Sequence, residues 1–360
     1  MVANGEAGKR RDHVRARLSK TGSWIRGGYL WLEDKPLVIV IAAAGATVGA
    51  VFVLASSAGW TRVVDLSTAN HDWAWLVVCL AGEIFAYGGY VLTVRDMARV
   101  DGGSEMSIGL STKTVVAGFG VFAATRSSGG FAVDNWAFQA AGASEPQAAE
   151  RAVGLGLLEY LVLSLAALVA SAALFFRLDG GANDSTTLPS LFIVPSLAVG
   201  VYLTSPKRAR RLSRKRGGYL RRWFATLVGG ATTVRKLLTS PREHGMGIVG
   251  NVAYWAGDIL CLWAALEIVA AHISVASLIL AYTGGYVVTR RALPAGGAGL
   301  VEIALTLALF WMGLPFARTL VAVVIYRLFN FWLPILPALI LIPSIRRLRE
   351  RFQRAERLAT

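Results

Sequence analysis

The sequence has few charged residues and few of the side chains that build metal, redox or disulfide sites. Only 16% of its 360 residues are charged, whereas roughly a quarter are charged in an ordinary soluble domain. It contains two cysteines and four histidines, scattered without the spacing of metal ligands. No nucleophile elbow, phosphate-binding loop or kinase signature occurs. The composition therefore argues against a soluble globular protein, and we predict no metal, no cofactor and no catalytic residue.

Long apolar runs make up most of the chain instead. The uncharged run at 37–56 has the roughly 20 residues that a helix needs to cross a bilayer. Further runs predict spans at 73–94, 153–176, 188–203, 246–271 and 316–343. The sequence thus predicts an all-α polytopic membrane protein with about six full spans.

Positive charge is concentrated in three segments. Residues 1–35, 204–246 and 344–360 together hold 26 of the 37 lysines and arginines but only 7 of the 22 acids. By the positive-inside rule these segments are cytoplasmic, and the anionic lipids of the inner leaflet are their expected partners. Nucleic acid is not an expected partner, because no recognised binding motif accompanies the charge. We therefore predict a multi-pass protein of the cytoplasmic membrane with both termini inside.

This charge pattern also divides the chain. We predict a basic N-terminal segment at 1–35 and a membrane domain at 36–343, which includes the basic cytoplasmic loop 204–246. Residues 344–360 place apolar side chains at helical spacing among arginines, which is typical of an amphipathic helix lying on the membrane.

Two intervals inside the membrane domain lie at about 105–145 and 275–313. Because the basic segments are predicted to be cytoplasmic, the chain must enter and leave each interval on the same side of the membrane. Each holds two apolar pieces of 11 to 19 residues, which are short for a full crossing. We predict two oppositely oriented re-entrant hairpins enclosing a polar chamber, an arrangement that fits an inverted repeat. Two pairs of short, tilted crossings are the alternative. The predicted hairpin turns contain Gly129, Gly130, Pro294, Gly296, Gly297 and Gly299.

Arginines near these turns and in the last span are candidate ligands for a lipid phosphate. A guanidinium can hold a phosphate through two parallel hydrogen bonds. The candidates are Arg126, Arg290, Arg291 and Arg327. Anchoring at the membrane interface is the alternative for the first three.

Acidic and amide side chains inside the spans are the candidate charge partners, because a buried charge costs about 2.5–3.5 kcal/mol on insertion scales. A helix beginning near Gly299 would offer free N–H groups to an anion, and Glu302 in its first turn would repel that anion unless paired. Arg327 is the preferred partner, and an inert structural lock between these two residues is the alternative. The full set of candidates is Glu302, Asp134, Asp258, Glu159, Glu83 and Asn330.

Three motifs resemble a known family. They are Pro294-x-Gly-Gly-x-Gly-x-x-Glu302, Gly313-Leu-Pro-x-Ala317 and Tyr326-Arg327. Together they resemble the lysylphosphatidylglycerol synthase transmembrane region, or flippase-like, family. The resemblance implies an integral membrane protein that moves a lipid between leaflets, aminoacylated phosphatidylglycerol in the best-known members. It also implies that Arg126, Glu302 and Arg327 are the charged landmarks.

The sequence departs from the family pattern in the first hairpin. Gly129-Gly130 stands where Gly-Glu is expected, and Asp134 or Asn135 stands where a basic residue is common, so we expect the first half-site to differ in substrate from that of the best-known members. Because the sequence ends at Thr360 with a basic tail, we expect no soluble aminoacyl-transferase domain and no synthesis of the lipid.

We therefore expect a transporter that holds a lipid phosphate with arginines between two hairpins, and not an enzyme. One alternative is a non-transporting membrane partner that positions a lipid-modifying or glycosyl-transferring enzyme, with the loop 204–246 as its docking surface. A membrane enzyme with Glu302 and Asp258 as bases also stays open, as does a homo-oligomer.

Overall fold

The computed structural model describes residues 36–69, 72–103, 105–124, 128–178, 219–286, 294–338 and 340–341, together with Gly200. Within these residues the chain forms helices and no strand. The α-helices are α1 (Pro36–Ala58), α2 (Trp60–Thr68), α3 (Trp75–Arg99), α4 (Ile108–Ala124), α5 (Ser128–Ala140), α6 (Glu145–Phe175), α7 (Tyr219–Thr239), α8 (Pro241–Ile268), α9 (Val275–Tyr286), α10 (Leu300–Trp311) and α11 (Phe316–Arg327). Short 3-10 turns cover Val100–Gly102 and Pro294–Gly297, and a π-helical turn at Leu328–Trp332 follows α11.

Five helical segments are long and apolar enough to cross a membrane. They are α1, α3, α6, α8 and the segment that begins with α11 and continues to Ala338. The all-α polytopic membrane fold is thereby confirmed. The predicted span at 188–203, except Gly200, lies outside the described residues, as do the segments 1–35 and 344–360.

The antiparallel pair α3 and α8 forms the centre of the fold. Gly82 on α3 faces Gly257 on α8, and one heptad further along Gly89 faces Gly250. A Cβ atom on Gly82 would lie 2.7 Å from the carbonyl oxygen of Gly257, so no side chain fits at this crossing. Membrane helices use such small residues to bring their backbones together, because lipid supplies little hydrophobic driving force for association.

Two amphipathic helices occur where loops were predicted. α2 lies between the predicted spans 37–56 and 73–94, and α7 lies inside the basic loop 204–246. α7 packs along α6, with Gly230 close to Gly154, and its Val234 and Leu237 are buried. Its Trp223 and Phe224 are exposed.

Two pairs of short helices occupy the intervals predicted as hairpins, α4 with α5 and α9 with α10, and we keep the name hairpin for each pair. A helix of 12 residues, such as α10, is about 18 Å long, compared with roughly 30 Å for the hydrocarbon core. The turn before α10 contains Gly296, Gly297 and Gly299 at φ values of 58°, 69° and 84°, which favour glycine. In the first hairpin, by contrast, the glycines predicted for the turn lie in the first helical turn of α5, which begins at Ser128 because helix starts accept serine and glycine.

The hairpins meet inside the protein. The tip of the second hairpin, Pro294–Gly297, contacts α4 of the first hairpin and also α1. α6 packs against α5 of the first hairpin and α9 of the second. The residues around this tip are therefore enclosed by α1, α4 and the end of α11.

Candidate functional site

A buried ion pair joins the second hairpin to the last span. Arg327 Nε lies 3.0 Å from Glu302 Oε1, and the two side chains are 2% and 0% exposed. The structure therefore pairs Arg327 with the partner predicted from the sequence. Each member sits at a helix end, Glu302 in the first turn of α10 and Arg327 in the last turn of α11.

The Glu302 carboxylate also caps the start of α10. Its Oε2 accepts a hydrogen bond of 2.7 Å from the backbone N–H of Gly299. Its Oε1 accepts a second hydrogen bond, of 3.2 Å, from the Thr47 hydroxyl on α1. A helix N-terminus carries partial positive charge, and a carboxylate there is favourable. One carboxylate thus occupies the point where a helix N-terminus and a guanidinium converge.

The Arg327 guanidinium is held from three further sides. Nη1 lies 3.4 Å from Asn330 Oδ1, and Nη2 lies 3.5 Å from the carbonyl oxygen of Gly296 at the hairpin tip. Its central carbon stands 4.3 Å from the centroid of the Phe331 ring, a cation–π contact. Asn330 and Phe331 both belong to the π-helical turn, a feature that is frequent at functional sites.

Asp258 on α8 is the second buried centre. Its side chain is 0% exposed and accepts three hydrogen bonds. Tyr282 donates to Oδ2 at 2.5 Å, while Tyr326 and the Asn330 amide donate to Oδ1 at 2.8 and 2.7 Å. Asn330 therefore bridges Asp258 and Arg327, donating to the first and accepting from the second.

The remaining candidate acids are also buried. Glu83 on α3 lies beside Asp258, where Gly82 and Gly257 bring α3 and α8 into close contact. Glu159 on α6 accepts a hydrogen bond of 2.6 Å from the Tyr90 hydroxyl. Asp134 is buried on α5. The structure thus brings five candidates into one contiguous set, which we call the polar network: Glu83, Asp258, Asn330, Arg327 and Glu302.

The other three candidate arginines, Arg126, Arg290 and Arg291, lie outside the described residues.

Four members of the site were not predicted from the sequence. Thr47, Tyr282 and Tyr326 bind the buried carboxylates, and Phe331 lies under the guanidinium. The one signal for Tyr326 was its position beside Arg327. The other three stand in apolar runs, where only the packing of helices reveals what they face.

α1 covers the ion pair on one side. Thr47 contacts Glu302, and a Cβ atom on Gly299 would lie 2.9 Å from the carbonyl oxygen of Ala46. Of the five candidate spans, α1 has the smallest buried share. Access to the pair from this side therefore depends on the position of α1.

Comparison with known proteins gives a family for this architecture. The family model described as "Lysylphosphatidylglycerol synthase TM region" matches residues 37–338, which include both hairpins and the whole polar network. A search of curated proteins finds no match. Because the match covers more than four-fifths of the sequence, the chain belongs to the lysylphosphatidylglycerol synthase transmembrane-region family, a family of lipid-related membrane domains.

Proposed function

We propose that this protein is a flippase-like transporter of the cytoplasmic membrane. It moves an anionic or headgroup-modified phospholipid between the leaflets without changing it chemically, and the lipid tails stay in the bilayer. The headgroup phosphate is held by arginines in a polar chamber between two re-entrant hairpins. Membership of a lipid-related family of membrane domains supports this proposal.

The observation that carries the proposal is the site occupied by the Glu302 carboxylate. The Gly299 N–H and the Arg327 guanidinium both bind it. These are the two kinds of group that proteins use to bind phosphate, a helix N-terminus and an arginine fork. A lipid phosphate that replaces Glu302 keeps both groups paired with an anion.

Stability alone does not explain why this ion pair is buried. Two buried charges gain little over apolar residues of the same size, because desolvation offsets their attraction. The turn Pro294–Gly297, next to the pair, contacts α4 of the first hairpin, which supports a site between the two hairpins. A transporter explains why charge is kept there, since the pair opens and closes as the headgroup passes.

Reconstitution tests this function. Purified protein in liposomes is given a fluorescent anionic phospholipid, and its movement between leaflets is timed. We expect Arg327→Ala and Glu302→Ala each to slow movement about tenfold or more, as expected for loss of a charged hydrogen bond.

Arg318→Ala is the matched control. Arg318 lies on α11 like Arg327, but its guanidinium is exposed and bonds the carbonyl oxygen of Ala270. It should transport at the wild-type rate. Full activity of Arg327→Ala and Glu302→Ala would show that the site is wrongly assigned, and an inactive wild type would favour a partner role without transport.

A further inference from the structure

We propose that Glu83 and Asp258 form a proton-binding site, linked through Asn330 to Arg327, and that proton uptake there is coupled to lipid movement. This inference rests on the proposed function and deepens it, because it names a driving ion for the same site.

The first step is the contact between two buried carboxyl groups. Asp258 lies on α8 and Glu83 on α3, and each directly follows a glycine of the close Gly82–Gly257 contact between these helices. Their side chains are buried, at 0% and 5% exposure, and lie within reach of each other. Two adjacent carboxylates repel each other strongly in a buried site, so a pair of this kind holds one proton.

The other partners of Asp258 are suited to hold it as the anionic member of the pair. Tyr282, Tyr326 and Asn330 all donate hydrogen bonds to its two oxygens. The Glu83 hydroxyl then supplies the fourth hydrogen bond. The titratable or charged groups that face the pair are Cys79 on α3, Cys261 on α8, Tyr282 on α9, and Tyr326 and Arg327 on α11.

The second step is the link to the phosphate site. Asn330 contacts Asp258 with its amide nitrogen and Arg327 with its amide oxygen. Loss of the shared proton adds a negative charge beside Arg327, which then disfavours any anion bound to it. Uptake of the proton removes that charge. A lipid phosphate at Arg327 and a proton on the carboxyl pair therefore favour each other, and this coupling is reciprocal.

The third step is a polar path to the pair. On α3, Glu83 is followed by Tyr87 and Tyr90 at helical spacing, and on α8, Asp258 is preceded by Tyr254 and Asn251 at the same spacing. Since the two helices are antiparallel, both rows run toward the same end of the protein.

Contacts along these rows support the path. The Tyr90 and Tyr254 rings lie 5.1 Å apart. Asn251 is 0% exposed, and neither atom of its amide has a hydrogen-bond partner among the described residues. Buried amides are satisfied in nearly all proteins, and a bridging water would satisfy this one. Water that bridges these hydroxyl and amide groups would complete a proton path to the carboxyl pair.

The experiment measures lipid movement in proteoliposomes across a pH series and under an imposed pH gradient. If one proton accompanies each lipid, the wild-type rate falls by up to about tenfold per pH unit above the point where the pair releases its proton. We expect the gradient to drive lipid to one leaflet. Asp258→Asn and Glu83→Gln should lose both effects.

Glu267→Gln is the matched control. Glu267 lies on α8 as well, but its carboxylate is paired with His272, away from the network. This variant should keep the wild-type pH dependence. Thermal melting shows whether each variant is folded.

Infrared difference spectra between acidic and alkaline pH give a readout that does not require transport. The wild type and Glu267→Gln should show a protonated-carboxyl band, which Glu83→Gln and Asp258→Asn lack. A wild type without that band, or transport at a rate independent of pH, overturns the proton site while leaving the proposed function intact. A wild type that shows the band but moves no lipid contradicts the transport function instead.

Discussion

At the scale of single residues, Asn330 has an unusual position in the site. Its amide nitrogen donates to Asp258 and its amide oxygen accepts from Arg327, so both ends of one side chain are used by charged groups. A side chain in this position must both donate and accept, whereas a carboxylate only accepts and a lysine only donates. The position therefore requires a side chain with both a donor and an acceptor, which the Asn330 amide supplies.

Asn330→Ala tests that requirement. The variant leaves Asp258 with one donor fewer in a buried site, so we expect a loss of about 1–3 kcal/mol of stability. Leu328→Ala is the control, since Leu328 belongs to the same π-helical turn but is exposed. Thermal melting in one detergent compares the two variants. Equal melting temperatures would show that the bridge contributes nothing to stability.

The ion pair gives a second prediction at this scale. Arg327→Met leaves the Glu302 carboxylate buried without its cation, and removing one partner of a buried pair costs about 3–5 kcal/mol. The double variant Arg327→Met/Glu302→Gln removes both charges and should recover much of that loss. A double-mutant cycle of melting curves measures the recovery. Additive losses would mean that the two side chains act independently.

How far these contacts could be predicted depends on the residue. Arg327 and Glu302 stood out because a charge in an apolar run needs a partner, and Asn330 shares a helix face with Arg327 at i+3. Tyr282 carried no comparable signal, since a tyrosine in an apolar run is equally typical of the membrane interface. Its contact with Asp258 depends on how α9 lies against α8, which is a tertiary property.

At the scale of elements, the glycine contacts between α3 and α8 fix the centre of the fold. Gly88 and Gly89 are neighbours on α3 with opposite surroundings. A Cβ atom on Gly89 would meet the backbone nitrogen of Tyr254 at 2.8 Å, whereas a Cβ atom on Gly88 would meet nothing within 4 Å. Adjacent residues on one helix therefore form a natural pair of variant and control.

Gly89→Ala should separate α3 from α8 and lower stability by about 1–3 kcal/mol, the usual cost of overpacking. Gly88→Ala should be neutral or slightly stabilising, because alanine is the better helix former. Melting temperature and the fraction of monodisperse protein after purification are the measurements. Similar behaviour of the two variants would refute the close contact.

The helices themselves were predictable to different degrees. The run at 37–56 became α1, Pro36–Ala58, because an uncharged apolar run of that length leaves little choice in a bilayer. α2 and α7 were missed because their apolar residues are spaced by polar ones, so no continuous run marks them. Only the helical period of their apolar side chains could have identified them.

At the scale of the whole molecule, the proposed function predicts that an anionic phospholipid stays bound to the protein through purification. If the network is a phosphate site, native mass spectrometry of purified wild-type protein should find a specific anionic phospholipid bound. Arg327→Ala should lose that lipid, while Arg318→Ala keeps it. Nonspecific lipid that is unchanged in Arg327→Ala would argue instead for a membrane protein that positions another enzyme.

α1 is the only helix on its side of the Glu302–Arg327 pair among the described residues, so the proposed route of a lipid headgroup to the pair passes α1. One face of α1 is exposed at Ile41, Val48 and Phe52, while Thr47 contacts Glu302 from the other side. A single helix, about 10–12 Å across with its side chains, therefore separates the ion pair from the surrounding hydrocarbon. In the transport that we propose, a lipid enters past α1 by moving sideways out of its own leaflet, and only its headgroup leaves the bilayer environment.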